Sequence, residues 1–146
     1  MKSDKGQALV EFALVVLLFV LLVIGIYDFG RAFHAYHTID HVGRETARMV
    51  SVEKSKGGLS NDEIRTYAEN IATGIDKDAL TVSPPVYETV NYTNAAGNAE
   101  EIEIVKITIS YQLQLYFPII GAIYDEDGSP TAITITLTDT TKMRVE

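Results

Sequence analysis

The first feature of the chain is a block of apolar residues close to its start. Residues 8–27 read ALVEFALVVLLFVLLVIGIY, in which Glu11 is the one charged residue. At about 1.5 Å per residue a helix of this length spans roughly 30 Å, the thickness of the hydrocarbon core of a bilayer. The block therefore predicts a membrane-spanning helix. A secretory signal peptide would have a shorter apolar core and an A-x-A-like cleavage site after it, and no such site follows here.

A helical pattern continues beyond this block. Small and apolar side chains recur at helical spacing without an intervening proline. They are Ala32, Ala35, Tyr36, Ile39, Gly43, Ala47 and Val50. We expect one long helix to about residue 54, followed by a turn at SKGG, residues 55–58. Ser60 and Glu63 have the spacing of a capping box, which predicts a second, short helix with Gly74 as its C-cap.

The C-terminal half alternates between apolar and polar residues, the pattern of half-buried strands. The longest alternation covers residues 105–117, and another covers 133–145, where Asp139 and Thr141 interrupt the apolar face. A weaker strand is predicted within residues 80–92, disturbed by two prolines and joined to the long strand by the loop at 94–98. The predicted fold class is α+β: a long N-terminal helix, a short helix and a small antiparallel sheet of about three strands.

Composition and charge narrow the range of functions. The chain has 146 residues, a formal net charge of −8 and no run of Lys or Arg, so it lacks the clustered cations that nucleic-acid binding requires. It has no cysteine, which excludes a thiolate nucleophile, a cysteine zinc site and a disulfide framework. No nucleophile elbow, phosphate-binding loop or HExxH motif is present. We therefore expect no enzyme, no cofactor and no small-molecule substrate.

The charge inside the apolar block requires a partner or a position near the membrane interface. A carboxylate at the centre of a membrane-spanning helix costs about 2.5–3.5 kcal/mol on insertion scales. If the peptide bond after Gly6 is cut, Gln7 becomes an amino terminus, and its positive charge lies one helical turn from Glu11. A neighbouring helix could equally bring its own amino terminus to Glu11. The residue chemistry does not choose between these partners.

Three segments carry a resemblance to a known family. KGQALVEF at residues 5–12 resembles a type IV prepilin processing site, with glycine before the cut and glutamate fifth after it. With the apolar helix and YDFGRAF at residues 27–33, it resembles the TadE-like minor pilins, or pseudopilins, of tight adherence (Tad) pilus systems. ITLTDTTKMRVE at residues 135–146 is similar to the last strand of that family. Phe12 stands where major pilins of this system tend to have tyrosine, which favours a minor pilin.

The resemblance implies a precursor in three parts: a leader at residues 1–6, a transmembrane and assembly helix at 7–54, and an exported α+β domain at 59–146. A prepilin peptidase would cut between Gly6 and Gln7 at the cytoplasmic membrane, with the domain outside and later at the cell surface. Glu11, with Phe12 beside it, would serve subunit assembly by pairing with the amino terminus of an adjacent subunit. The partners would be other pilin subunits and the pilus assembly platform, in adhesion or secretion.

Two groups of polar residues follow the apolar block. Asp28 and Arg31 lie one helical turn apart and are predicted to mark the membrane boundary. His34, His37 and His41 also have helical spacing, so metal binding is geometrically conceivable. Three ligands on consecutive turns of one helix rarely meet at one tetrahedral centre, however, so we expect a solvated or packed face and no metal.

The segment between the last two strands is apolar and then acidic. Its apolar residues, predicted to form a small satellite core or else an exposed contact for a partner pilin, are Ile119, Ile120, Ile123 and Tyr124. We favour the satellite core. DEDG at residues 125–128 lacks the regular oxygen ligands and closing glutamate of a calcium loop, so an exposed turn is predicted. The alternative to a pilin is an uncleaved, single-pass membrane anchor that carries a binding module of the cell envelope.

Overall fold

The structure, a computed structural model, describes residues 3–93, 98–116 and 133–145. It confirms the predicted α+β fold, with one long helix, one short helix and an antiparallel sheet. The helices are α1 (Ser3–Glu53) and α2 (Asn61–Ile71), and the strands are β1 (Leu80–Val82), β2 (Val86–Thr93), β3 (Ala99–Gln114) and β4 (Thr134–Arg144). The predicted satellite core and DEDG turn lie outside the described residues.

The chain divides into two compact units, and α1 contributes to both. The first unit comprises Met1–Phe33 and Gln114–Ile135, and the second comprises His34–Leu113 and Thr136–Glu146. The apolar block of α1 belongs to the first unit. The predicted limits of leader, assembly helix and exported domain concern processing and topology, and they stay predictions.

The core of the second unit lies between α1, α2 and the inner face of the sheet. Buried side chains recur along one face of α1, as a helix packed on one side requires; they are Ala35, Ile39, Val42, Ala47 and Val50. β3 supplies alternate residues, which point to one side of a strand; they are Val105, Ile107, Ile109, Tyr111 and Leu113. α2 lies against β1 and buries Ile64 and Ala68.

β3 is the strand with which the other three pair. β1 and β2 follow one another along it, both antiparallel, with Val82 opposite Ile109 and Val86 opposite Lys106. Val86 follows Val82 by four residues, whereas their partners on β3, Lys106 and Ile109, are three residues apart. The extra residue forms a β-bulge between β1 and β2. Pro84 and Pro85 occupy this gap and have no N–H to donate. The prolines divide the one predicted weak strand into two, so the sheet has four strands.

β3 also begins earlier than predicted, at Ala99, because β2 continues to Thr93 and pairs with it. β4 runs antiparallel to β3: the Leu115 N–H donates to the Ile133 carbonyl at 2.8 Å, and the Val145 N–H donates to the Glu103 carbonyl at 2.9 Å. From Lys106 to Gln114 on β3, and throughout β4, the even-numbered side chains are polar and form the outer face of the sheet.

The two polar residues that interrupt the apolar face of β4 lie opposite a glycine of α1. A Cβ on Gly43 would be 2.8 Å from Asp139 Oδ2 and 2.9 Å from Thr141 Oγ1. The Thr141 hydroxyl donates to the Asp139 carboxylate at 2.9 Å, so these side chains bond to each other. α1 and β4 thus approach so closely that a larger side chain than glycine would displace this pair.

α2 begins with the predicted capping box. Ser60 Oγ accepts from the Glu63 N–H at 3.3 Å, and the Ser60 N–H donates to Glu63 Oε2 at 2.9 Å. The backbone hydrogen bond from Ser60, with a further one from its hydroxyl, holds the pKa of Glu63 below its ordinary value. The prediction of Gly74 as the C-cap is wrong, because α2 ends at Ile71 and Ala72 is the cap. Gly74, with φ +77°, serves the turn that follows.

Candidate functional site

Gly6 and Gln7 lie in the first turns of α1. Gly6 is exposed, has no positive φ, and a Cβ added to it would meet no atom within 4 Å. Glycine inside a helix costs about 0.5–1 kcal/mol relative to alanine because it loses more backbone freedom. Neither packing nor backbone conformation among the described residues therefore accounts for a glycine at this position.

Glu11 is exposed on the same helix, one turn after Gln7. Gln7 Nε2 donates to Glu11 Oε1 at 3.0 Å. The amide satisfies one carboxylate oxygen, but it is neutral and leaves the negative charge in place. The structure thus brings together the residues predicted to form the cut and the assembly contact, before any cut is made.

The apolar side chains around Glu11 are exposed as well. Leu9 is 70% exposed, Phe12 67% and Leu18 68%. Among the residues that the structure describes, α1 is the one helix long and apolar enough to cross a membrane, and none of its most apolar stretch is buried in the protein. A core helix of a soluble protein would bury these side chains against other elements. The N-terminal helix therefore has the length and the exposed apolar surface of a membrane anchor.

Asp28 and Arg31 hold the chain segment that follows β3. The Asp28 side chain is buried, and its Oδ2 accepts the backbone N–H of Tyr116 at 2.8 Å. Its Oδ1 lies 3.3 Å from Arg31 Nη1, and the same nitrogen donates to the Gln114 carbonyl at 2.9 Å. We call Asp28, Arg31 and the backbone groups of Gln114 and Tyr116 the Asp28 latch. It belongs to the first unit.

Two tyrosine rings flank the latch. The Arg31 guanidinium carbon is 4.5 Å from the ring centroid of Tyr116 and 5.8 Å from that of Tyr27, and the two centroids are 6.3 Å apart. Contacts of this kind are worth about 0.5–1 kcal/mol at exposed sites. Both rings nevertheless remain largely exposed, 58% for Tyr27 and 64% for Tyr116. The latch thus has a buried ionic centre and an exposed aromatic rim.

The sequence pattern located Asp28 and Arg31 but not their partners. Tyr116 follows Asp28 by 88 residues, and no local pattern joins positions so far apart. One signal was present: Tyr116 is aromatic at a position where the alternation of residues 105–117 expects a polar side chain.

The three histidines have separate surroundings. His34 packs on Gly74, where an added Cβ would lie 2.6 Å from its Nε2. His37 contacts the ring of Tyr36, with centroids 6.1 Å apart, and His41 is exposed. Across residues 3–93, 98–116 and 133–145, no three His, Asp or Glu side chains are grouped so that they could hold a metal ion. The histidine at position 34 has a packing role in the turn after α2.

The exposed apolar helix and the α+β elements that follow define a class: a protein with an N-terminal membrane anchor and an α+β body. The family model of the TadE-like proteins matches residues 6–48, from the predicted cut through the latch residues of α1. The chain thus carries a TadE-like N-terminal segment, in agreement with the resemblance that its sequence predicted. No curated protein and no solved structure matched it.

Proposed function

We propose that this chain is a minor pilin, or pseudopilin, whose precursor is cut after Gly6 by a prepilin peptidase and then enters a Tad-type pilus through Glu11. The observation that carries the proposal is the hydrogen bond between Gln7 and Glu11 within an unburied apolar helix. The residue that would become the amino terminus is already placed one turn from the carboxylate that requires a cation.

Cleavage would change the electrostatics of this helix end. Before the cut, Glu11 has only the neutral amide of Gln7 among its described side-chain partners. Afterwards an ammonium group lies at residue 7, and the positive end of the helix dipole moves to the same turn. An uncompensated carboxylate at the centre of a bilayer costs about 2.5–3.5 kcal/mol. Glu11 is the fourth residue of the apolar block, so a cation gained by cleavage relieves at most a penalty of that size.

Glu11 Oε2 can accept an ammonium group from either chain, since the Gln7 amide bonds to Oε1. One feature supports a neighbouring subunit as the source of that cation. The surrounding apolar side chains are exposed, so a second helix can approach Glu11. Gly6 fits the same scheme, because a glycine without a packing role is consistent with recognition by a peptidase.

The proposal places the α+β body outside the cytoplasmic membrane and includes other pilin subunits and the assembly platform as partners. It includes no enzymatic activity, no nucleic acid and no small-molecule substrate. The second candidate is an uncleaved anchor that carries a binding module. The unburied helix is equally consistent with this candidate.

Intact-mass measurement of the membrane-extracted protein separates the two candidates. We expect a species that begins at Gln7 in cells with the prepilin peptidase, and the full 16.1 kDa chain in cells without it. Gly6→Val should block the cut. Gly30→Val is the matched control, since Gly30 is also a helix glycine with no atom within 4 Å of an added Cβ, and it should be cut normally. A full-length species in peptidase-positive cells would refute the proposal.

A further inference from the structure

The Asp28 latch lies where α1 leaves the apolar block. The headgroup layer on each side of a bilayer is about 5–8 Å thick, which a helix crosses in roughly three to five residues at its rise per residue. Tyr27 ends the apolar block, and Asp28 is the next charged residue after Glu11. The stretch from Tyr27 to Arg31 therefore falls within this layer.

The latch brings a distant part of the chain to the same depth. Asp28 Oδ2 accepts the Tyr116 N–H at 2.8 Å, and Arg31 donates to the Gln114 carbonyl at 2.9 Å. Backbone atoms held at hydrogen-bond distance from these two side chains cannot lie far from the headgroup layer. The end of β3 is thus fixed at the membrane surface.

The groups exposed there have the chemistry of that layer. Tyrosine is enriched at membrane interfaces because its ring is apolar and its hydroxyl is polar. The rings of Tyr27 and Tyr116 are 58% and 64% exposed, with the Arg31 guanidinium between them. The one carboxylate of the latch, on Asp28, is buried and paired, so it does not face lipid phosphate.

We infer that the end of β3 is a second membrane contact of this protein, in which Tyr116 inserts among phospholipid headgroups beside the exit of α1. The surface is continuous with the membrane anchor, and its partner is the lipid headgroup layer. The contact depends on the anchor and the latch. It does not depend on cleavage after Gly6 or on pilus assembly, so it stands or falls separately from the proposed function.

The chain contains no tryptophan, so a single Tyr→Trp substitution creates a unique fluorophore. We would reconstitute full-length Tyr116→Trp in phosphatidylcholine–phosphatidylglycerol vesicles and quench it with lipids brominated either just below the glycerol or near the chain ends. Tyr27→Trp provides the interfacial reference. Leu18→Trp provides the deep control, because Leu18 is 68% exposed near the middle of the apolar block of α1.

We expect shallow bromines to remove about half of the Tyr116→Trp emission, as for Tyr27→Trp, and deep bromines to remove little, since interfacial aromatic rings lie at headgroup level. Leu18→Trp should be quenched mainly by the deep bromines. Adding Asp28→Ala to Tyr116→Trp should reduce the shallow quenching. Emission from Tyr116→Trp that is as red as that of free tryptophan in buffer, and unquenched by either lipid, would overturn the inference.

A second probe covers the case in which Tyr116→Trp does not fold. The chain has no cysteine, and Gln114 joins the latch through its backbone carbonyl while its side chain is exposed. Gln114→Cys can therefore carry an environment-sensitive dye without loss of the latch bond. A blue shift of the dye on transfer from detergent to vesicles supports the contact, and the absence of a shift refutes it.

Discussion

Removing the carboxylate of Asp28 should release the chain after β3 from α1. The carboxylate accepts the Tyr116 N–H at 2.8 Å and pairs with Arg31 at 3.3 Å. A hydrogen bond to a charged group contributes about 1.5–3 kcal/mol net. The exposed Tyr116 ring leaves water a path to the freed amide, so we expect the loss of this bond to cost about 2 kcal/mol. At about 1.4 kcal/mol per factor of ten, the Tyr116 amide should exchange with solvent roughly 30-fold faster in Asp28→Ala.

Amide hydrogen exchange of the full chain in detergent or nanodiscs measures this change at Tyr116 directly. Asp40→Ala is the matched control: Asp40 pairs with Arg44 at 2.6 Å on the same helix, but this pair is partly exposed. Exposed pairs contribute less than about 1 kcal/mol, so the control should leave exchange at Tyr116 unchanged. A wild-type exchange rate at Tyr116 in a folded Asp28→Ala variant would show that the latch does not hold the strand end.

Three further predictions concern the packing of the α+β body and the pH dependence of its stability. Gly43→Ala places a Cβ against the Asp139–Thr141 pair and should lower the free energy of unfolding by about 1–3 kcal/mol in urea titrations, whereas Gly30→Ala meets no atom and should be neutral or stabilising by up to about 1 kcal/mol. Gly74→Ala places a side chain at φ +77° and against His34, so it should lower the free energy of unfolding by about 1–3 kcal/mol. If the contact with His34 dominates, adding His34→Ala should restore part of that stability. Glu63 has a pKa lowered by Ser60, so its contribution to stability is present above its ordinary pKa and is lost as pH falls through the lowered one; Glu63→Gln should flatten the acid limb of a pH–stability curve.

Features set by neighbouring residues could be predicted from the sequence. The capping box of α2 needs only Ser60 and Glu63, and the sequence contained both. The alternation of β3 likewise predicted its buried face, because side-chain direction in a strand follows residue number. The division of the weak strand was within reach too, since Pro84 and Pro85 cannot donate to a ladder, but the bulge that they mark became visible only with the pairing.

Features that depend on contacts between distant residues could not be predicted. Asp139 and Thr141 interrupt an apolar face for a reason that lies on α1, at Gly43. Asp28 and Arg31 were identified as boundary residues, but Tyr116, their partner, is 88 residues from Asp28. In both cases the sequence showed an exception to a pattern, an interrupted strand or an aromatic residue among polar ones, and the tertiary structure supplied its cause.

In the proposed function Glu11 joins this chain to its neighbours after cleavage, and incorporation into sheared filaments measures that role. The amount of mature chain in the filament fraction, relative to that in the membrane, should be compared for the wild type, Glu11→Gln and Gln7→Ala. We expect normal cleavage for Glu11→Gln with a large loss of incorporation, and a smaller loss for Gln7→Ala, which retains the amino terminus but lacks the amide bond to Glu11. Wild-type incorporation of Glu11→Gln would refute the pairing of Glu11 with a neighbouring subunit.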